Sequence, residues 1–142
     1  MLELGIPVGL GTDGTRVASY NPWMSLYWIV SGKSLGGNQV MAKENTLDRQ
    51  TALQLYTAGG YDLIKEKQKG KIASGYLADL VVLSDDYFNI EEEKIKEITS
   101  ELTILDGKVV YGKGDFKAIA PQPLEVIPSW SPVKYYGGYQ TK

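Results

Sequence analysis

The chain has 142 residues, 43% of them hydrophobic, and a formal net charge of −2. That length suits one domain or parts of two, and it falls short of a complete eight-fold βα barrel, which needs at least about 200 residues. The apolar share excludes wholesale disorder, and the slight acidity argues against nucleic acid, whose phosphates need a basic face.

The first predicted element is a short, continuously apolar strand, Ile6 to Gly11, of the kind covered on both faces in a parallel sheet. Gly5, Gly9 and Gly11 leave it little bulk, which suits a crowded interior or a close backbone approach. It stops at Asp13. A carboxylate at the carboxyl end of a buried strand is where α/β enzymes place their chemistry.

A loop then leads to Asn21-Pro22, a cap and first-turn pair that opens a helix over Trp23 to Val30. Gly32 marks its end. Apolar residues surround this helix almost entirely, so it expects cover on more than one side. Thr46 is the expected cap of a second helix, with Asp48 in its first turn and Ala52, Leu55, Tyr56 and Gly59 at helical spacing. The Gly59-Gly60 pair should interrupt it before a further helical piece from Tyr61.

From Gly70 the pattern turns to β. Leu80-Val-Val-Leu83 reads as a strand, and the acidic run Glu91 to Glu93 before Ile95 and Ile98 as a helical turn. Glu101 to Leu105 and Lys108 to Tyr111 flank Asp106-Gly107, which predicts a hairpin whose two turn residues take positive φ. Residues 113–142 hold four of the six prolines and read as an extended tail. No segment reaches the ~18 consecutive apolar residues of a membrane span, so no membrane partner is expected. No signal peptide is read at the N-terminus, and the compartment stays open.

Asp13 is the main candidate for chemistry. It could ligate a metal or take a proton from a metal-bound water; the plainer reading is a turn residue in Thr12-Asp13-Gly14. Arg16 could clamp a substrate carboxylate, or simply sit in solvent. Gly9, Gly11 and Gly14 lack the spacing of a dinucleotide fingerprint, and Lys33-Ser34-Leu35-Gly36-Gly37 follows a helix where a phosphate loop would open one. Glu91 to Glu93 reads as a solvated face, and Asp79 as a cap or turn residue. The chain has neither histidine nor cysteine. Disulfides and thiolate metal sites are therefore excluded, and Ser34 and Ser74 have no base to form a triad. Ten tyrosines and three tryptophans suit half-wet packing surfaces, or a docking face.

Taken together, several segments resemble the amidohydrolase superfamily. Gly70-Lys-Ile-Ala-Ser-Gly75-Tyr-Leu-Ala78-Asp79-Leu-Val-Val-Leu83 is similar to the segment that closes the family's barrel and enters its flanking β-sandwich. Thr46-Leu-Asp-Arg-Gln-Thr-Ala-Leu with Tyr56-Thr-Ala-Gly59 resembles the late helix, and Thr103 to Tyr111 the last hairpin. Ile6-Pro-Val-Gly-Leu-Gly-Thr-Asp13 resembles the eighth barrel strand and its aspartate. Trp130-Ser-Pro-Val-Lys-Tyr-Tyr-Gly-Gly138 resembles the amidohydrolase-3 group.

The resemblance implies an α/β fold: residues 1–69 as the end of a TIM-like barrel, 70–112 as a small β-sandwich (composite) segment and 113–142 as the tail. It implies a parent enzyme that hydrolyses non-peptide carbon–nitrogen bonds of small amide-type substrates with a divalent metal, expected to be zinc. Asp13 would then orient or deprotonate the activated water. One carboxylate cannot hold a catalytic zinc, which wants three protein ligands. The chain is therefore expected to be a C-terminal portion, to bind no metal by itself and to be inactive alone. The alternative is a non-catalytic structural module that forms a homo-oligomer, motivated by the tail aromatics Trp130, Tyr135, Tyr136 and Tyr139 and by uncovered apolar surface.

Overall fold

A computed structural model of the chain describes residues 2–14, 18–122 and 129. Arg16 and the tail aromatics Trp130, Tyr135, Tyr136 and Tyr139 lie outside the described residues. The described part is a small α/β assembly. Helix α1 (Pro22–Ser31) packs against a second helical stretch and the turn Glu92–Glu97, and the chain also forms a three-stranded antiparallel sheet in the order β1 (Leu80–Leu83), β2 (Ser100–Leu105), β3 (Lys108–Gly112). No helix among the described residues is long and apolar enough to cross a membrane.

Helix α1 begins as its sequence dictates. The Asn21 side chain accepts a hydrogen bond from the Trp23 backbone N–H at 3.0 Å, Pro22 fills the first position, and Gly32 ends the helix in the left-handed region at φ 70°. Ser31 Oγ donates back to the Tyr27 carbonyl at 2.7 Å, which satisfies one of the last free acceptors. The second stretch starts later than expected. Asp48, not Thr46, is the cap: its carboxylate accepts from the Thr51 N–H at 2.9 Å and the Thr51 hydroxyl at 2.6 Å. Thr46 instead bonds the Lys43 carbonyl. A carboxylate offers a charged acceptor to the helix N-terminus, where a hydroxyl offers only a neutral one.

The expected break at Gly59-Gly60 does not occur. The helix α2 (Arg49–Gln54) continues through a wide π-type turn (Leu55–Gly59) into α3 (Gly60–Leu63). The Leu55 carbonyl, at the head of that turn, accepts the Leu10 N–H at 3.1 Å, so its acceptor is shared with an outside strand of chain. The glycines permit this approach. A Cβ on Gly59 would stand 2.5 Å from the Val8 carbonyl oxygen, and one on Gly9 would stand 2.9 Å from Gly60 Cα.

Residues 6–13 are therefore docked, but they are not a β-strand. A parallel strand exists only through a neighbouring strand's hydrogen bonds, and no described strand lies beside this one. The flanking β-sandwich is likewise represented by one sheet among the described residues.

The hairpin forms as expected. Asp106 and Gly107 take φ 50° and 73°, and Leu105 pairs with Lys108. Asp79, before β1, ties the hairpin down by accepting the Asp106 N–H at 2.8 Å. The core gathers Trp23, Leu26 and Tyr27 of α1, Ala52 of α2, Tyr87, and Ile95 and Ile98 of the turn Glu92–Glu97 and its end. Arg49 and Tyr87 lock reciprocally: the guanidinium donates to the Tyr87 carbonyl at 2.6 Å and the phenol donates to the Arg49 carbonyl at 3.1 Å. Burial pushes the Tyr87 phenol up to about 12.

Candidate functional site

Asp13 sits where the docked segment turns away. Its backbone is left-handed, at φ 48°, a conformation aspartate tolerates better than most side chains. The turn itself is held by Thr12, whose hydroxyl accepts the Gly14 N–H at 3.1 Å. Asp13 is exposed, and among the described residues no donor is placed on its carboxylate. Asp13 thus supplies the left-handed backbone of the turn, and Thr12 its side-chain hydrogen bond.

Asp13 lines a cavity of about 490 Å³, within the ~300–1,000 Å³ range of small-molecule sites. One wall is the docked segment, Leu10 to Asp13, and another is the outer face of α1, with Met24, Ser25, Trp28 and Ile29. Lys33 and Leu35 stand beyond the end of α1, and Tyr56 comes from the π-type turn. The same turn therefore anchors the Asp13 segment through the Leu55 carbonyl and contributes a side chain to the cavity. Partial burial raises the Tyr56 phenol, and hydrogen bonding with Ser25 and Thr12 pulls it back toward its ordinary value. Thr12, Ser19, Ser25 and Tyr56 thus line one mainly apolar hollow together with the Asp13 carboxylate and Lys33.

The acidic run is not a uniform solvated face. Glu93 receives three donors: Lys33 Nζ at 2.6 Å, the Tyr27 hydroxyl at 2.9 Å and Lys96 Nζ at 3.1 Å. These bonds, that of Lys33 foremost, hold its carboxyl down at about 2. Lys33 also approaches Glu92 at 3.8 Å and is not placed to cradle phosphate. Glu93 and Tyr56 were not legible as site-forming residues. Charge runs and helical tyrosines are common, and the partners that distinguish these two lie far away in sequence.

The residues present do not fit a resident metal. The chain has no histidine or cysteine, and among the described residues no three acidic side chains converge on one point. Asp13 alone falls short of the three or four protein ligands of a zinc site.

The chain is 44% identical over 63 residues to YtcJ of Bacillus subtilis (strain 168), whose name assigns it to the amidohydrolases; the match covers 44% of the chain and 12% of that protein. It is 33% identical over 132 residues to a 5-methylthioadenosine/S-adenosylhomocysteine deaminase of Clostridium tetani, covering 84% of the chain and 29% of the enzyme. It is 29% identical over 125 residues to the deaminase of that name from Desulfovibrio desulfuricans, covering 82% of the chain and 28% of the enzyme. The chain thus spans less than a third of the length of these relatives. No solved structure matches it significantly. A sequence model of the amidohydrolase family matches residues 1–111, and the chain belongs to that family.

Proposed function

We propose that this chain is the C-terminal portion of an amidohydrolase that hydrolyses non-peptide carbon–nitrogen bonds in small molecules, with Asp13 as the proton-transferring carboxylate. The observation that carries this reading is the place of Asp13: an exposed carboxylate, on a segment docked against the helix, lining a cavity of ligand size. The names of the deaminase relatives support a substrate with a carbon–nitrogen bond to break.

In this reading, water adds to the carbon that bears the nitrogen. Asp13 accepts the proton that the water loses and hands it to the departing nitrogen, so the C–N bond is replaced by C–O and N–H. Residues 1–69 would belong to the barrel and 70–112 to the flanking β-segment. The family is generally metal-dependent, and ligands for a divalent ion, zinc being the expected one, would come from residues beyond this chain. The chain alone would then be inactive. In the longer parent protein, Asp13→Asn should lower turnover by about 10²–10⁴-fold, the usual worth of a positioned acid–base group. Unchanged hydrolysis would remove Asp13 from the reaction.

A second reading, self-association as a homo-oligomer, is favoured by one row of the sheet. Val81, Thr103 and Tyr111 are cross-strand neighbours, and both Val81 and Tyr111 are exposed. A sedimentation-velocity experiment showing monomer alone at high concentration would count against it.

A further inference from the structure

We propose that the cavity beside Asp13 recognises an uncharged planar ring bearing an amide-type polar edge, with the ring against Trp28 and the polar edge on the Thr12–Ser25–Tyr56 hydroxyl cluster. This deepens the reading of Asp13 as the reacting carboxylate and rests on it.

The placement follows from helical spacing. Met24 and Trp28, and Ser25 and Ile29, are each four residues apart on α1, so all four share the face opposite the buried Trp23, Leu26 and Tyr27. Trp28 keeps 44% of its surface exposed, although it lines a hollow. A large ring left open inside a concavity gains most from a flat apolar partner. Met24 supplies a thioether next to it, which adapts to ring edges. The hydroxyls of Thr12, Ser25 and Tyr56 can each donate and accept, which suits an amide edge carrying both an N–H and a C=O.

Charge decides the rest. Lys33 is the one cation among the described lining residues, and it is bound at 2.6 Å to Glu93. Among the described residues, an anionic ligand would meet the Asp13 carboxylate with no cation other than the Glu93-paired Lys33 to offset it. An ammonium ligand could pair with Asp13, but it would lose its hydration against an apolar wall.

The test uses the purified 142-residue chain and ligand-observed NMR titrations with benzamide, benzoate and benzylammonium. Benzamide should bind saturably below ~20 mM, a reasonable range for a fragment of its size. Trp28→Ala should weaken it about tenfold, as for a central aromatic contact. Tyr56→Phe keeps the ring and its packing, and should weaken benzamide by roughly three- to tenfold through loss of one hydrogen bond. Ile119→Ala, at an exposed position that does not line the cavity, should leave binding unchanged.

Absence of saturable benzamide binding would overturn the proposal, as would equal affinity in the Trp28 and Tyr56 variants. Tighter binding of benzoate or benzylammonium would also overturn it. These outcomes are separable from the fate of Asp13, whose role is read by hydrolysis in the parent protein.

Discussion

The two faces of α1 differ in how completely they are satisfied. The inner face places Leu26 and Tyr27 in full burial, with the Tyr27 hydroxyl finished by Glu93. The outer face carries Met24, Ser25, Trp28 and Ile29 into a cavity. One helix of ten residues thus has a side that is closed by its own fold and a half-buried side on which Trp28 stays exposed. The closed side holds the helix in place, and the other side presents the exposed Trp28 ring to the cavity, surface that a ligand can use.

The largest effect should come from breaking the closed side. Leu26→Ala removes a fully buried side chain and should cost about 2–5 kcal/mol, measured as a shift in the urea midpoint at unchanged slope. If the cost falls below ~1 kcal/mol, the inner face is not the structural one.

A smaller effect is expected at the seam that carries Asp13. Gly59→Ala drives a Cβ to 2.5 Å from the Val8 carbonyl oxygen, where backbone must move. The expected cost is about 1–3 kcal/mol, as for overpacking, together with faster hydrogen exchange at the Leu10 amide as its bond to Leu55 loosens. An unchanged Leu10 exchange rate would mean that the segment is held by other contacts.

The smallest effect concerns Glu93. Its folded pKa lies below the ordinary carboxylate value of 4.5, at about 2. A depressed carboxylate contributes stability that is present above its unfolded pKa and is lost as pH falls through the folded one. Stability should therefore decline between about pH 4.5 and 2, modestly, because the cluster is solvent-accessible and screened. Glu93→Gln should flatten that part of the pH profile. A wild-type profile already flat there would show that the three donors do not act together.

Much of the local structure was legible because it is coded by neighbours. Asn21-Pro22 could open α1 and Gly32 could close it, since caps act over two or three residues. Asp106-Gly107 specified the hairpin for the same reason: both residues tolerate positive φ, and a two-residue turn demands it. The choice of Asp48 over Thr46 as cap was less legible, because both residue types serve and only the entry path of the chain selects one. The uninterrupted passage through Gly59-Gly60 ran against glycine's helix-breaking tendency. It is explained by the docked backbone of Val8 and Gly9, which needs positions without side chains.

The site divides in the same way. Asp13 stood out in sequence as a carboxylate after an apolar run. The cavity around it did not, because Thr12, Ser25, Tyr56 and Lys33 come from separate elements. Glu93 lies 60 residues from Lys33 and 66 from Tyr27, and nothing local separates it from the glutamates beside it.

Sequence by itself determined the caps, the hairpin turn, the apolar character of α1 and the lack of any imidazole or thiolate ligand. These depend on residue chemistry and on contacts a few positions apart. Only the tertiary structure decided that residues 6–13 dock on a helix without forming a strand, that Thr12, Ser25 and Tyr56 line one cavity with Asp13, and that one glutamate of three becomes an ionic hub. Those outcomes depend on which distant surfaces meet. A free hydrogen-bonding group or charge takes the partner that packing brings within reach, and residue order alone does not state that distance.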